Sequence, residues 1–247
     1  MKITPIKTHK ITLKDKDLFQ ILSSYLPRIK EGSVVAITSK VVSICEGRMV
    51  KIGTVNKDEL VNKEAEYYLP KELNKYQFFL TIKNGLLTPT AGIDESNGNG
   101  YYVLWPRNAQ KTANEVRRYL GKRFSLKKVG VIITDSKTTP LRWGVTGTAI
   151  AHSGFAALND YIGKKDVFGR ELRVTKGNVM DGLAAAAVLA MGEGKEQPPL
   201  ALIEDIPFVK FQQRNPTKKE LEELRIRMED DLYDPLLTSV KWKKGGA

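Results

Sequence analysis

Val129-Gly130-Val131-Ile132-Ile133-Thr134-Asp135-Ser136 is the stretch on which the fold turns. It is short, β-branched and apolar without alternation, the pattern of a strand buried on both faces. Such a strand lies inside a sheet that is covered above and below. Its end changes character abruptly, so it is predicted to deliver Asp135, rigidly held, to the edge of that sheet. Thr90-Ala91-Gly92-Ile93-Asp94-Glu95-Ser96-Asn97 repeats the arrangement, with Asp94 where apolar residues meet a polar loop. Carboxylate and hydroxyl oxygens are hard donors, the type that holds Mg²⁺ or Mn²⁺ beside phosphates. Each acid also has a plainer reading: Asp94 as a turn residue bonding its own backbone, Asp135 as a helix N-cap with Ser136.

On either side of these stretches the pattern is mixed. Residues 3–12 alternate as a strand does. Leu18, Phe19, Ile21, Leu22, Tyr25 and Leu26 recur at helical spacing up to Pro27. Residues 33–38 form a second apolar strand, followed by the polar step Ser39-Lys40. A helix is predicted over 58–69, and a hairpin over 76–82 and 86–89 around Asn84-Gly85. Asn97-Gly98-Asn99-Gly100 is a turn before a short strand at 101–105. Asn108 caps a helix that Gly121 stops. An Ala-rich helix covers 181–191 with Gly192 at its end, and a strand follows at 200–203. Pro216-Thr217-Lys218-Lys219-Glu220 is a capping box opening a helix to about residue 232. The alternation lacks a regular βαβ period, which favours an α+β fold with mixed β-sheets and flanking helices.

The 247 residues suffice for one large domain or two small ones, and 41% of them are hydrophobic, enough for a globular core. No apolar run approaches the roughly 20 residues of a membrane span, and the amino terminus has no signal-peptide layout. Cys45 is the single cysteine, so no internal disulfide forms and a cytoplasmic protein is expected. Lys and Arg number 40 against 28 Asp and Glu, a net charge of +12. That excess attracts anionic ligands such as nucleotides, polyglutamates or nucleic acid. A solvated basic surface is the plainer account.

Several chemistries lack their residues. Gly144-Val145-Thr146-Gly147-Thr148 has no Lys-Ser/Thr ending and is not a phosphate-binding P-loop. His9 and His152 with one Cys make no zinc cluster. A Ser-His-Asp triad around His152 has no nucleophile elbow to support it, and both histidines read as structural. The segment Asp160-Tyr161 to Arg173 is dense in charge, aromatic residues and glycine. It reads as a solvated loop or as a lid, in which Arg170 and Arg173 fork onto carboxylate or phosphate. Ser39-Lys40 is either surface or a phosphate or γ-carboxylate contact.

Taken in order, these segments resemble one family, the coenzyme F-420 γ-glutamyl ligases. The likeness runs from Gly32 through Ile203. It is carried by Thr38-Ser39-Lys40-Val41-Val42-Ser43 with Glu46-Gly47-Arg48, Ala91-Gly92-Ile93-Asp94-Glu95-Ser96-Asn97, and Gly130-Val131-Ile132-Ile133-Thr134-Asp135. Asp160-Tyr161 with Asp166-Val167-Phe168-Gly169-Arg170-Glu171-Leu172, and Leu183-Ala184-Ala185-Ala186-Ala187 through Met191-Gly192, complete it.

The resemblance implies a GTP- or ATP-dependent ligase that requires Mg²⁺ or Mn²⁺ and adds L-glutamate to a carboxylate of a deazaflavin. It also implies a homodimer of a single unit with two intertwined lobes. Its metal ligands fall on Asp94, Asp135, Ser136 and Glu193. Its nucleotide contacts fall on Ser39, Lys40, Asn97 and the loop from Met191 to Pro198, which includes Gly192, Glu193, Gly194 and Lys195, with a further stretch near Thr8 to Ile11. Joining glutamate to a carboxylate requires activating it, most simply as an acyl phosphate. Lys40 and Arg142 are the candidates to stabilise the developing charge.

The chain departs from the family at Ile44, where a nucleotide-binding Lys is expected, and at Glu193, which stands for a metal-binding Gln and adds negative charge. Further changes cluster between residues 137 and 153, at Lys137–Thr139, Trp143, Val145, Gly147 and His152-Ser153. With both acids intact, these point to an altered acceptor, a folate-type pterin in preference to the deazaflavin. Trp143 would stack on the flat ring and Arg142 or Arg170 would hold the tail carboxylate. Two other classes stay open: a noncatalytic nucleotide or cofactor sensor, suggested by Ile44 and Glu193, and a nucleic-acid-binding protein. The second is disfavoured by the dispersal of the basic residues and the absence of a nucleic-acid module.

Overall fold

In the computed structural model of the chain, which describes residues 1–246, the elements run β1 (Lys2–Ile6), α1 (Leu18–Tyr25), β2 (Ser33–Thr38), α2 (Ser39–Cys45), β3 (Met49–Lys51) and α3 (Lys57–Glu64). There follow β4 (Tyr67–Leu69), β5 (Leu80–Lys83), β6 (Leu86–Pro89), β7 (Tyr101–Val103), α4 (Ala109–Phe124), β8 (Val129–Thr138) and β9 (Val145–Ser153). The chain closes with β10 (Leu158–Asp160), β11 (Lys176–Asn178), α5 (Val179–Met191), β12 (Leu200–Glu204), α6 (Lys218–Glu222), α7 (Asp234–Leu237) and β13 (Lys243–Lys244).

The main sheet has the order β1-β12-β2-β8-β9, with β2 and β8 parallel at its centre and every other pair antiparallel. Side chains alternate across a strand, so β2 and β8 feed two cores. Val35, Ile37, Val131 and Ile133 pack with Leu22 of α1, Val42 of α2 and Val116 and Leu120 of α4. Val34, Ala36 and Ile132 pack with Leu183, Ala184 and Ala187 of α5 on the opposite face. Burial on both faces is as the apolar run predicts, and each such side chain contributes about 1.5–3 kcal/mol. Gly130 lets the layers close: a Cβ there would sit 2.8 Å from both Phe155 and Val34.

A smaller core lies apart. Val61 of α3 and Ala65, which caps it, pack with Phe79, Ala91, Ile93, Tyr102 and Leu104. Around it are the sheet β13-β4-β5-β6 and the pair β3-β7, while β10 pairs with β11 alone. The fold is mixed α+β with several sheets.

Several local expectations change, among them the strand expected over 76–82, which spans Leu80–Lys83, and that over 101–105, which ends at Val103. The first strand stops at Ile6, where its partner β12 begins at Leu200. The helix predicted over 58–69 ends at Glu64, because residues 67–69 pair with β5 and β13. Gly121 does not stop α4, which runs to Phe124 and closes on Ser125 in the left-handed region, φ 55°. The capping box at Thr217 and Glu220 forms, but the helix it opens spans only Lys218–Glu222 and buries no residue, so nothing extends it. No described helix is long and apolar enough to cross a membrane.

Candidate functional site

Because β2 and β8 are parallel and in register to Thr38 and Thr134, the residues that follow them emerge side by side. From Thr38 the chain turns straight into α2, which opens with Ser39 and Lys40. From Thr134 it does not turn. β8 continues to Thr138 paired with β9 alone, and a bulge between Ile133 and Thr134 marks the transition. Asp135 is therefore neither a strand terminus nor a helix cap. It sits where a covered sheet narrows to a two-stranded ribbon, and a bulge at that point re-aims the side chain.

Asp94 arrives from the smaller core on a tight turn in which Thr90 and Ala91 have φ of 50° and 53°. The Ala91 amide donates to Thr81 Oγ1 at 2.8 Å, which holds this uncommon conformation. The Asp94 carboxylate accepts from the Ser96 amide at 2.7 Å and the Ser96 hydroxyl at 2.8 Å, so the turn reading is correct. The same carboxylate also faces the site: Lys40 Nζ lies 2.7 Å from it and donates to the Ser96 carbonyl at 2.8 Å. Trp105 donates its indole N–H to the Asp135 carboxylate. Gly92 makes room for that ring, since a Cβ there would fall 2.2 Å from Trp105 Nε1.

The loop after α5 closes the far side. Gly192 caps the helix with φ 81°. Ser136 Oγ lies 2.7 Å and 3.0 Å from the two Glu193 carboxylate oxygens. Asn97 Nδ2 donates to the Gly194 carbonyl at 3.2 Å, and the Thr38 amide to the Pro199 carbonyl at 3.0 Å. Hydrogen bonds and ion pairs thus tie Lys40 to Asp94, Asn97 to Gly194 and Ser136 to Glu193, and the charges of Asp94 and Lys40 both reach Asp135. Ser39 is buried beside them. Met191 is also buried, packed in the α5 core, which leaves its backbone as the part able to serve a ligand. Lys195 is exposed.

The two aspartates titrate in opposite directions. Burial, reinforced by the charge of Asp94, pushes Asp135 up to about 6 against the bonds from the Ser136 amide and Trp105. Burial also works to raise Asp94, but the Lys40 ammonium and the Ser96 donors outweigh it and hold that carboxyl below its ordinary value. A desolvated carboxylate within the field of a second one is an arrangement that a divalent cation relieves. Among the described residues no group of three or more His, Cys, Asp or Glu side chains is placed to cage a metal alone. Mg²⁺ is usually held by one or two carboxylates with waters and substrate phosphates, and the pair Asp94 and Asp135 fits that mode.

Other expected residues lie elsewhere. Arg142 and Trp143 stand at the exposed tip of the β8–β9 hairpin, and Arg142 makes no side-chain hydrogen bond or ion pair among the described residues. Arg170 and Arg173 lie exposed in the loop between β10 and β11, where the Arg170 amide donates to Asp166 Oδ1 at 2.9 Å. Ile44 is buried. Near Thr8 to Ile11, His9 is tied to Tyr25 and Asp15. His152 lies in the core against Phe155. Gly147 has a packing cause: a Cβ would meet the Ala184 carbonyl at 2.4 Å and Val188 at 2.7 Å. Trp105 was not expected at the site. Its only signal is that a buried indole N–H needs an acceptor.

A family model described as F420-0:Gamma-glutamyl ligase matches residues 5–205. Three similar proteins are each named Coenzyme F420:L-glutamate ligase. The one from Methanopyrus kandleri is 33% identical over 221 residues, covering 82% of this chain and 86% of its own. The one from Methanococcus maripaludis is 36% identical over 228 residues, 86% and 89% of the two chains. The one from Archaeoglobus fulgidus is 34% identical over 218 residues, 82% and 87%.

Proposed function

The chain belongs to the F420-0:γ-glutamyl ligase family, and from that premise we propose that it joins L-glutamate through an amide bond to a carboxylate of a deazaflavin coenzyme. The observation that carries this reading is the meeting of Lys40, Asp94, Asn97, Asp135, Ser136 and Glu193 from segments far apart in sequence.

A carboxylate does not react with an amine until one oxygen becomes a leaving group. Phosphoryl transfer from GTP or ATP to the acceptor carboxylate supplies this, giving an acyl phosphate. The glutamate amine then attacks the acyl carbon, phosphate departs and the amine loses a proton. Mg²⁺ or Mn²⁺, when held by Asp94 and Asp135, would offset phosphate charge. Lys40 offers a point charge to the transferred group. Ser39, Asn97 and the backbone of residues 191–195 offer donors to the nucleotide. Glu193 adds charge beside Ser136, so Glu193→Gln should raise the metal concentration that activity requires.

A folate-type pterin is the second acceptor considered. The names of the relatives favour the deazaflavin. Gly147 answers to helix packing, and Trp143 stands 93% exposed at the hairpin tip. We also propose a homodimer that covers the exposed Leu141 and Trp143 of the β8–β9 tip and Val167 and Phe168 of the β10–β11 loop, since large exposed apolar side chains mark interfaces. Arg142, Arg170 and Arg173 would act on the acceptor within that dimer. The test offers purified protein the deazaflavin precursor and tetrahydrofolate with labelled glutamate, GTP or ATP, and Mg²⁺ or Mn²⁺. Glutamylated deazaflavin is expected by mass. Extension of folate alone would reverse the acceptor order, and nucleotide binding without product would favour the sensor.

A further inference from the structure

We infer that a second, positively charged pocket seats the incoming L-glutamate by its carboxylates on Arg48, Lys83 and Arg107. This rests on the ligase reading above and gives it an amino-acid subsite.

The pocket has a volume of about 380 Å³ and is lined by Arg48, Glu64, Lys83, Asn84, Pro106 and Arg107. Its walls are the ends of elements. Arg48 precedes β3, Glu64 closes α3, Lys83 closes β5, and Pro106-Arg107 leads into α4. Ligand pockets span about 300–1,000 Å³, so this one suits an amino acid better than a deazaflavin or a nucleoside triphosphate.

Its lining sets three cations, Arg48, Lys83 and Arg107, against one carboxylate, Glu64. Lys83 is only 9% exposed, and a buried ammonium is costly unless paired. Its one hydrogen bond goes to Glu64 Oε2 at 2.7 Å. The same oxygen accepts from Arg48 Nη2 at 2.7 Å, while Arg48 Nε donates to the Trp105 carbonyl at 3.1 Å. One carboxylate therefore serves two cations, and the Arg107 guanidinium has no ion partner among the described residues. Glu46 and Glu66 stand nearby, and each accepts from a backbone amide, of Arg107 and Asn84 respectively. Two N–H groups of Lys83 and the Nη1 group of Arg48 remain to bind an anion.

The location supplies the ligand class. Lys83 Nζ lies over the Trp105 ring, 5.6 Å from its centre, and the same indole donates its N–H to Asp135. The pocket is thus one indole away from the carboxylate pair. In amide formation glutamate reacts through its amine and keeps both carboxylates. Both must be held by cations, and forked or charge-assisted bonds do this best.

The test uses the full chain and three variants, Arg107→Gln, Arg48→Lys and Lys83→Met. Arg107 is exposed, so its variant folds even if loss of the Lys83–Glu64 pair unfolds the third. Losing one charge-assisted contact should raise KM for glutamate about tenfold or more and leave KM for nucleotide and acceptor within about twofold. An unchanged glutamate KM in both Arg107→Gln and Arg48→Lys overturns the assignment. A raised acceptor or nucleotide KM in its place also overturns it, because the pocket then holds another anion. Calorimetry of L-glutamate with protein, Mg²⁺ and a non-hydrolysable GTP analogue separates the two proposals. Glutamate binding that is weakened in Arg107→Gln supports the subsite even where no acceptor is turned over, and absence of binding to the unaltered chain overturns it.

Discussion

At its base the β8–β9 hairpin is enclosed on both faces, with Val131, Ile132 and Ile133 inaccessible to solvent, whereas at its tip Leu141 and Trp143 are about as exposed as in an extended chain. The two strands pair from Val131↔Ser153 to Thr138↔Val145, with a single bulge between Ile133 and Thr134. What differs is the covering. α4 and α5 pack on the base, while beyond Thr134 the ribbon has lost its β2 neighbour. Asp135 and Ser136 lie on the boundary, so they inherit the rigidity of the base and the accessibility of the ribbon. A site carboxylate needs both, and the comparison predicts that damage should change in kind along this one hairpin.

The largest effect belongs to the boundary. Asp135→Asn should lower kcat/KM by about 10²–10³-fold, the usual loss when a charge-stabilising group leaves a preorganised site. The melting temperature should hold or rise, because the substitution removes a desolvated carboxylate whose pKa burial has pushed up to about 6. Retained activity in steady-state assays would remove Asp135 from the machinery and break the comparison at its centre.

The base is tested next by pH. Burial lowers His152 to about 4 from an ordinary value near 6.5. Between those values the unfolded chain binds a proton that the folded chain refuses, so stability should fall as pH drops from about 6.5 to about 4. The difference amounts to about 3 kcal/mol across that window. His152→Leu should flatten this part of the profile, as read by urea midpoints at several pH values. A profile as steep as that of the unaltered chain would assign the acid loss to other groups.

Gly147 lies on the ribbon side but against α5. Gly147→Ala pushes a methyl group toward the Ala184 carbonyl and Val188, and overpacking of this kind costs about 1–3 kcal/mol. Denaturant unfolding should show that cost without a change in which acceptor is used. A switch of acceptor at unchanged stability would restore Gly147 as a specificity position.

The base was legible in the sequence because burial on both faces leaves a local mark, the unbroken run Val129 to Thr134. Asn108, Gly192 and the Thr217–Glu220 box were legible for the same reason, since caps are local chemistry. Residues 67–69 were misread as helix because only pairing with β5 makes them a strand. Ser39 and Lys40 were seen, but not the helix they begin. Asp94 and Asp135 were legible as a pair because each stands where an apolar run meets a polar loop, and the family resemblance assigns both to the metal. Trp105, Arg48 and Lys83 were invisible as site residues, because their roles arise from contacts between elements far apart in sequence.

The tip should give the smallest change in stability and the clearest test of what covers it. Trp143 is 93% exposed and Leu141 fully so, and an exposed side chain that packs on nothing shifts folding stability by no more than about 0.5 kcal/mol. Trp143→Ser should therefore unfold at the same denaturant concentration as the unaltered chain when measured at high dilution. A chain that pairs with its own copy through the tip makes a different prediction at higher concentration. There the unaltered protein gains stability by mass action and the variant does not. Sedimentation equilibrium of the two should show a dimer that weakens on substitution. If both remain monomeric at every concentration, the tip is free in solution. Arg142, exposed on that tip, would then lose the dimer as its route to the acceptor.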